Sequence, residues 1–396
     1  MSIDPFLLVF ALLGGILASL LPGLHPNSIS TILTPWLGSS EAWPLVLVAL
    51  LGVRLALQFL PSILVSTPVG QTEIGLLPGA RMMREGRGLE AVAVCAWATA
   101  LSVGLALLLS PLLLPILPAL FAAVKPWTGY LLVLAAGTLI LAEREIKKAG
   151  LALVVFLMAG ALGAMALNLP LNDPLFALFV GFFTMPALLM GEEREAIGKK
   201  QQPQKSMGAV GKDILPFILL GVVFGGLSDL LPGLSTPAQV ATLATLAVPL
   251  SAPAHFLALV ASIEASHTTF AFTSAASTGI ARVGVVAMIG QIEPITEAQL
   301  PVLLGVFAIA AAVGTGALLV VGKWLMPRWH MLDWKSMSWL LALYLLVMTG
   351  LLDGWLGLLV LGMASGLGVL AWRLGVRRTH VMGSLIVPSI LHAFGM

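Results

Sequence analysis

Apolar segments long enough to cross a lipid bilayer recur along almost the whole chain. They lie at about residues 44–65, 89–110, 127–142, 150–167 and 173–190, and again at 253–275, 299–322, 337–352, 355–372 and 380–395. Roughly 17–25 residues of helix span the hydrocarbon core of a bilayer. Only 10% of the 396 residues are charged, whereas soluble domains carry about 25%. The sequence therefore predicts an all-α polytopic membrane protein.

Two further apolar segments, 6–37 and 214–250, are each interrupted by the same four residues. Leu21-Pro22-Gly23-Leu24 interrupts the first, and Leu231-Pro232-Gly233-Leu234 interrupts the second. Irregular backbone at membrane depth is tolerated where it is buried in protein or lines a cavity. We therefore expect each segment to form a re-entrant hairpin. The alternative is an ordinary turn outside the membrane, against which the mostly uncharged loop and its occurrence in both halves argue.

The hydrophilic stretch 191–213 divides the chain near its middle, and motifs recur on its two sides. The Pro-Gly motifs lie 210 residues apart, MAGALG (158–163) resembles MASGLG (363–368), and GFFTMPALL (181–189) resembles GSLIVPSIL (383–391). These matches predict a first repeat at 1–190, a cytoplasmic linker at 191–213 and a second repeat at 214–396. Five spanning helices and one hairpin in each half make an odd number of crossings. The second repeat is then inverted, as in many secondary transporters.

The basic residues predict the orientation. Seventeen of the twenty Lys and Arg residues fall at 81–87, 144–148, 194–212, 323–335 and 373–378. When each hairpin enters and leaves on one side, all five clusters lie on the same side of the membrane. The positive-inside rule makes that side cytoplasmic. Both termini are then expected outside.

The residues that follow the two breaks are suited to holding an anion. Thr236, Pro237 and Gln239 form a capping box with proline in the first helical turn. In the first half, Asn27 and Ser28 are expected to cap an arm that begins near Ser28. A helix that begins at the membrane midplane presents free N–H groups and a positive dipole end. In an inverted repeat, two such ends approach one small anionic group.

A second pair of polar stretches, 61–88 and 261–284, contains ionisable residues between apolar flanks. Such residues normally face a wet pathway or a partner. Glu264 and His267 lie on one helical face and can share a proton. Arg54 and Arg282 can balance Glu73 and Glu264 or bind an anionic substrate; structural ion pairs and interfacial snorkelling are the alternatives. The polar residues expected to accompany them are Ser66, Thr67, Gln71 and Thr268.

Four stretches resemble the TctA-type membrane proteins, which are the large permease subunits of tripartite tricarboxylate transporters. They are GGILASLLPGLHPNSIS (14–30), 61–88, GGLSDLLPGLSTPAQVA (225–241) and STGIARVG (277–284). The resemblance is closest to shorter, archaeal-type relatives. It implies a carboxylate permease of a prokaryotic plasma membrane, coupled to Na⁺ or H⁺ and without another cofactor. It also implies a small membrane subunit and an external binding protein as partners. A homodimer is a further possibility.

The resemblance also implies that the substrate is held between the two hairpins. The positions that match the family's motifs are Gly23, Leu24, His25, Pro26 and Asn27, then Gly233, Leu234, Ser235, Thr236 and Pro237, together with 66–71 and 264–269.

Three functions are compatible with these features. The first is a secondary transporter of a small di- or tricarboxylate-like anion, with its site between the hairpins. The second keeps the anion site but moves a polyprenyl phosphate or another lipid phosphate. The third is a lipid-modifying enzyme with His25 or His267 as the base. The sequence has no His-Glu-x-x-His, Cys-x-x-Cys or Walker motif, so we do not expect an enzyme or a bound metal.

Overall fold

A computed structural model describes residues 5–21, 24–38, 40–65, 76–143, 145–190, 211–230, 240, 252–331 and 334–396. Its first-half helices are α1 (Pro5–Leu20), α2 (Pro26–Leu37), α3 (Trp43–Leu57), α4 (Phe59–Val65), α5 (Leu76–Arg84), α6 (Gly88–Leu113), α7 (Leu117–Val124), α8 (Thr128–Leu141), α9 (Ile146–Asn168), α10 (Pro174–Phe179) and α11 (Met185–Leu189). A π-helical turn, Val180–Thr184, joins α10 to α11. The second half contains α12 (Leu215–Ser228), α13 (Pro253–Thr278), α14 (Gly284–Ile292), α15 (Leu300–Leu325), α16 (Trp334–Arg373) and α17 (Gly383–Ala393).

The prediction of an all-α polytopic membrane protein is confirmed. In the part of the chain that the structure describes, six helical stretches are long and apolar enough to cross a membrane: Trp43–Leu64, Gly88–Leu113, Leu117–Leu141, Ile146–Asn168, Leu300–Arg328 and Ser336–Arg373. Two shorter apolar stretches, Pro5–Leu20 and Pro174–Leu189, accompany them.

The segments predicted at 337–352 and 355–372 lie in one helical element, α16, which bends sharply at Gly354. Gly354 has φ 63°, in the left-handed region that glycine adopts without a steric penalty. A methyl group on Gly350 would lie 3.7 Å from the side chain of Leu358. Eight residues of straight helix span about 12 Å, so the two arms turn back on each other.

The helices pack into two groups. The core group contains α1–α6 and α12–α15, which share one large hydrophobic cluster. The flanking group contains α8–α11, α16 and α17, whose apolar side chains form three smaller clusters. The short helix α7 leads from the first group to the second and packs its residues Leu117 and Phe121 against Leu230.

Two helices occupy the centre of the core group, and glycines let their neighbours approach closely. Helix α3 packs between α1 and α15, and α13 packs between α12 and α6. Gly15 of α1 lies against Val53 of α3. Gly225 of α12, 210 residues further on, lies against Ile263 of α13, which is also 210 residues beyond Val53. The two halves of the chain thus make the same contact at matching positions.

Matching contacts also occur in the flanking group. Gly163 of α9 lies against the carbonyl of Ser384 in α17. Gly368 of α16 lies against the carbonyl of Phe182 in the π-helical turn. These are equivalent positions of the motifs that recur at 158–163 and 363–368, and at 181–189 and 383–391.

Each half also holds a carboxylate against a backbone N–H of the other half. Glu143 accepts the N–H of Arg377 at 3.0 Å and lies 3.0 Å from His380 Nε2. Asp353, 210 residues after Glu143, accepts the N–H of Asp173 at 2.8 Å. Glu143 directly precedes the basic cluster 144–148, and Arg377 belongs to the cluster 373–378. The contact between Glu143 and Arg377 therefore brings the two clusters to the same end of the molecule.

Candidate functional site

The first hairpin has its break between α1 and α2, and His25 caps the second arm. The structure describes Leu24 and His25 on the far side of Pro22 and Gly23. His25 Nδ1 accepts the N–H of Asn27 at 3.1 Å, and Pro26 occupies the first helical position. The arm therefore begins two residues earlier than predicted, because an imidazole nitrogen serves as the cap in place of Asn27 or Ser28.

Arg54 brings a buried positive charge to this break. It lies on α3 with only 3% of its surface exposed, and its Nη1 donates to the Leu24 carbonyl at 3.4 Å. Its Nε has no hydrogen-bond partner among the described residues. Arg54 lies within electrostatic reach of His25 and Glu264. A guanidinium with a free N–H in this position can receive a carboxylate or a phosphate.

Asn27 joins the first break to the second half of the chain. Its side chain packs against Gly284 at the start of α14, where a Cβ atom would collide with the amide. Its Oδ1 is buried and accepts no hydrogen bond from the described residues. Asn27 is thus held in place while part of its hydrogen-bonding capacity remains unused.

Glu264 and His267 of α13 each lie against a polar residue from another part of the chain. Gln58 Nε2 donates to Glu264 Oε1 at 3.3 Å. His267 Nε2 lies 3.1 Å from Asp229 Oδ1, and both residues are almost completely buried. The predicted sharing of a proton between Glu264 and His267 does not take the form of a direct bond, although the two remain within electrostatic reach.

Sequence reasoning missed Asp229. This residue ends α12 directly before the second break, and Arg282 Nε donates to its backbone carbonyl at 3.4 Å. Arg282 therefore lies beside Asp229, and Arg54 is the arginine near Glu264. A signal was present in the sequence, because an acid inside an apolar arm is a functional candidate by itself.

Ser28 faces away from this cluster. Its Oγ donates to Asp173 Oδ2 at 2.9 Å, across the boundary between the core and flanking groups. Asp173 also caps α10 by accepting the N–H of Phe176 at 3.2 Å.

The remaining predicted residues divide into two sets. Pro26 and Thr268 are buried in α2 and α13. The others lie outside the described residues: Gly23, Ser66, Thr67, Gln71, Glu73, Gly233, Leu234, Ser235, Thr236, Pro237 and Gln239. Among the described residues, no three His, Cys, Asp or Glu side chains come together in a way that could hold a metal ion.

A family model decides the relationship that the motifs suggested. The model of the tripartite tricarboxylate transporter TctA family matches residues 6–383, nearly the whole chain. The chain belongs to the TctA family. Members of this family are membrane components of transporters, which agrees with the multi-pass helical architecture of this TctA protein.

The chain is also similar to an uncharacterized protein, MJ1079, of Methanocaldococcus jannaschii. The two are 27% identical over 191 residues, which is 46% of this chain and 47% of the relative. The match thus spans about half the length of that curated relative. No solved structure matches this TctA protein.

Proposed function

We propose that this TctA protein is a secondary transporter of a small di- or tricarboxylate-like anion, driven by a cation gradient. The observation that carries the proposal is the buried Arg54 beside the Leu24 carbonyl, with one N–H unpaired. A buried charge is costly unless it is paired and hydrogen-bonded. Glu264 supplies the charge balance, and a substrate carboxylate would supply the missing acceptor.

The substrate would lie between the two breaks. Asn27, with its unused Oδ1, and Arg54 border the first break, while Arg282, which is bonded to the Asp229 backbone carbonyl, borders the second. The contact between Asn27 and Gly284 supports this arrangement, because it brings the two sides together. The segments predicted at 66–71 and 233–239 would complete the site.

The fold would consist of two inverted repeats, 1–190 and 214–396, joined by a cytoplasmic linker. The paired contacts of Gly15 and Gly225, and of Gly163 and Gly368, support this division. The contact of Glu143 with Arg377 supports a single basic face, which would be cytoplasmic in a prokaryotic plasma membrane, with both termini outside.

Transport would proceed by movement of the core group against the flanking group. The described parts of both hairpins belong to the core group, and helix–helix contacts are concentrated within each group. The Ser28–Asp173 hydrogen bond crosses the boundary, so that it would break during the movement. Coupling to Na⁺ or H⁺, a small membrane subunit, an external binding protein and a homodimer are parts of the same proposal.

The test is reconstitution in liposomes on a solid-supported membrane. Currents would be recorded on addition of citrate, malate or succinate, with and without a gradient of Na⁺ or pH. We expect a saturable current that Asn27→Ala abolishes while the variant still elutes as a single folded species. No current and no tracer flux with any of these anions would contradict the proposal.

One observation favours a second candidate, translocation of a lipid phosphate. An apolar cleft of about 460 Å³ lies between α1, α2 and α3 and extends to Leu24 at the first break. An acyl or prenyl chain could occupy it while a phosphate binds Arg54. Flux of a fluorescent polyprenyl phosphate in the same liposomes, without flux of the carboxylates, would establish this candidate instead.

A further inference from the structure

The pair Asp229 and His267 has no task in the anion site described above. Asp229 is 1% exposed and His267 is 3% exposed, and the carboxylate and imidazole approach within 3.1 Å. Although the two groups lie this close, neither carboxylate oxygen of Asp229 nor His267 Nε2 makes a hydrogen bond with the described residues. Burial of unpaired polar or charged groups costs free energy, which indicates that the pair has a function of its own.

Among the described residues, three charged groups face His267. They are Asp229 at the end of α12, Glu264 one turn earlier on α13, and Arg282 from the segment that follows α13. Arg54 on α3, in turn, faces Glu264. With His267 neutral, the two arginines and the two carboxylates balance each other. One added proton gives the cluster a single positive charge.

Because of this charge balance, binding of a proton to the cluster and binding of the substrate anion favour each other. A buried cluster with net charge is unfavourable in a medium of low dielectric constant. A carboxylate that binds beside Arg54 therefore becomes more favourable when the cluster holds the extra proton, and the proton binds more favourably when the carboxylate is present. Such linkage is reciprocal by thermodynamic necessity.

The surroundings of Asp229 favour a proton over Na⁺. A hard cation requires several oxygen ligands. Asp229 instead faces the imidazole of His267, and the Arg282 guanidinium lies 3.4 Å from its backbone carbonyl. The guanidinium opposes any added positive charge, so the ligands decide: an imidazole nitrogen accepts a proton but is a poor ligand for Na⁺.

We propose that the Asp229–His267 pair carries the coupling proton of transport. The proposal rests on the transport function proposed above. One proton binds the pair from one side of the membrane together with the substrate anion. It leaves to the other side with the substrate, and no bond other than an N–H or O–H bond forms or breaks.

The experiment separates coupled uptake from exchange. Proteoliposomes that contain the wild type, Asp229→Asn or His267→Gln would be assayed for uptake of labelled citrate, malate and succinate. One assay uses an imposed pH gradient, and the other uses exchange against the same internal anion without a gradient. Exchange does not require the proton to be released. Asp229→Asn gives the cluster the charge of its protonated state, so we expect this variant to retain exchange and to lose about tenfold or more of gradient-driven accumulation. His267→Gln cannot take up the proton, so we expect it to lose gradient-driven accumulation to the same extent and to bind the anion more weakly.

His255→Gln is the matched control. His255 lies on the same helix, α13, but at its first turn, where it is 3.0 Å from Asp213 and stacks on Phe217. This variant should accumulate the anion as the wild type does. Accumulation by both cluster variants at the wild-type level would overturn the proposal, as would wild-type accumulation driven by Na⁺ but not by a pH gradient.

Proton uptake on anion binding can also be measured on the wild type, so that the test does not depend on the folding of a variant. In weakly buffered detergent solution with a pH-sensitive dye, binding of the transported anion should remove protons from the medium. Anion binding without proton uptake would overturn the proposal. Absence of both anion binding and exchange in the wild type would instead contradict the transport function itself.

Discussion

Ser28 of α2 donates a hydrogen bond to Asp173 at the start of α10, and this bond joins the core group to the flanking group. The Ser28 hydroxyl faces Asp173 and not the proposed anion site. We therefore expect Ser28→Ala to change the maximal rate of uptake, which depends on movement of the two groups, and to leave KM within about twofold of the wild type. Ser30→Ala is the matched control, since Ser30 bonds Thr34 within the same helix. An increase in KM of about tenfold would assign Ser28 to the substrate site after all.

Arg54 should be required for binding of the anion. Loss of one partner of a buried charged pair costs about 2 kcal/mol or more, so Arg54→Gln should weaken binding of the transported carboxylate by about 30-fold. Arg54→Lys should not restore it, because an ammonium group cannot form a two-pronged contact. Binding would be measured by tracer exchange, with Arg81→Gln at the exposed Arg81–Glu85 pair as the control.

The double variant Arg54→Gln/Glu264→Gln separates binding from stability. It removes both buried charges, so that neither is left without a counter-charge. We expect it to melt at a higher temperature than Arg54→Gln and to remain unable to bind the anion. Recovery of binding in the double variant would show that Arg54 serves only to neutralise Glu264.

His380, which lies before α17, predicts a pH dependence of stability. Burial lowers its pKa, although Glu143 at 3.0 Å acts in the other direction. The folded protein therefore binds this proton less readily than the unfolded chain does, and stability is lost as the pH falls below about 6.5. His380→Gln cannot take up the proton. Its melting temperature relative to the wild type should rise between pH 7.5 and 5.5, and a fall would contradict this reading.

The equivalent glycine contacts of α9 and α16 predict that alanine substitutions at these two positions destabilise the protein to a similar extent. A methyl group at Gly163 would collide with the Ser384 carbonyl, and one at Gly368 would collide with the Phe182 carbonyl. A backbone carbonyl in a packed helix cannot easily move aside, so Gly163→Ala and Gly368→Ala should each lower the free energy of unfolding by about 1–3 kcal/mol. Gly366→Ala, which has open space around it, should be neutral or slightly stabilising. Thermal denaturation in detergent would compare the three variants.

The helices were predictable because the bilayer imposes a length and an apolar composition on each spanning segment. Proline and glycine marked the break between α1 and α2 for the same reason. The partners of buried polar groups were not predictable. Asp229 and His267 are 38 residues apart in the sequence, and Glu143 and His380 are 237 apart. Such pairs depend on how helices cross, which periodicity does not specify.

Local irregularities escaped prediction for a related reason. The π-helical turn Val180–Thr184 has an ordinary apolar sequence and packs against α16, so its extra residue is a response to packing. The cap at His25 was missed because histidine is an uncommon residue at that position, where Ser, Thr, Asp and Asn predominate.

The pairing of Arg54 with Glu264 has a consequence for how the protein is made. The two residues are 210 positions apart, so that at about 5–20 residues per second the ribosome adds Glu264 ~10–40 seconds after Arg54. During that interval Arg54 lacks Glu264, the acidic residue that faces it in the described part of the chain. A chain that stalls in the linker never adds α13 and exposes this defect to the quality-control machinery of the membrane.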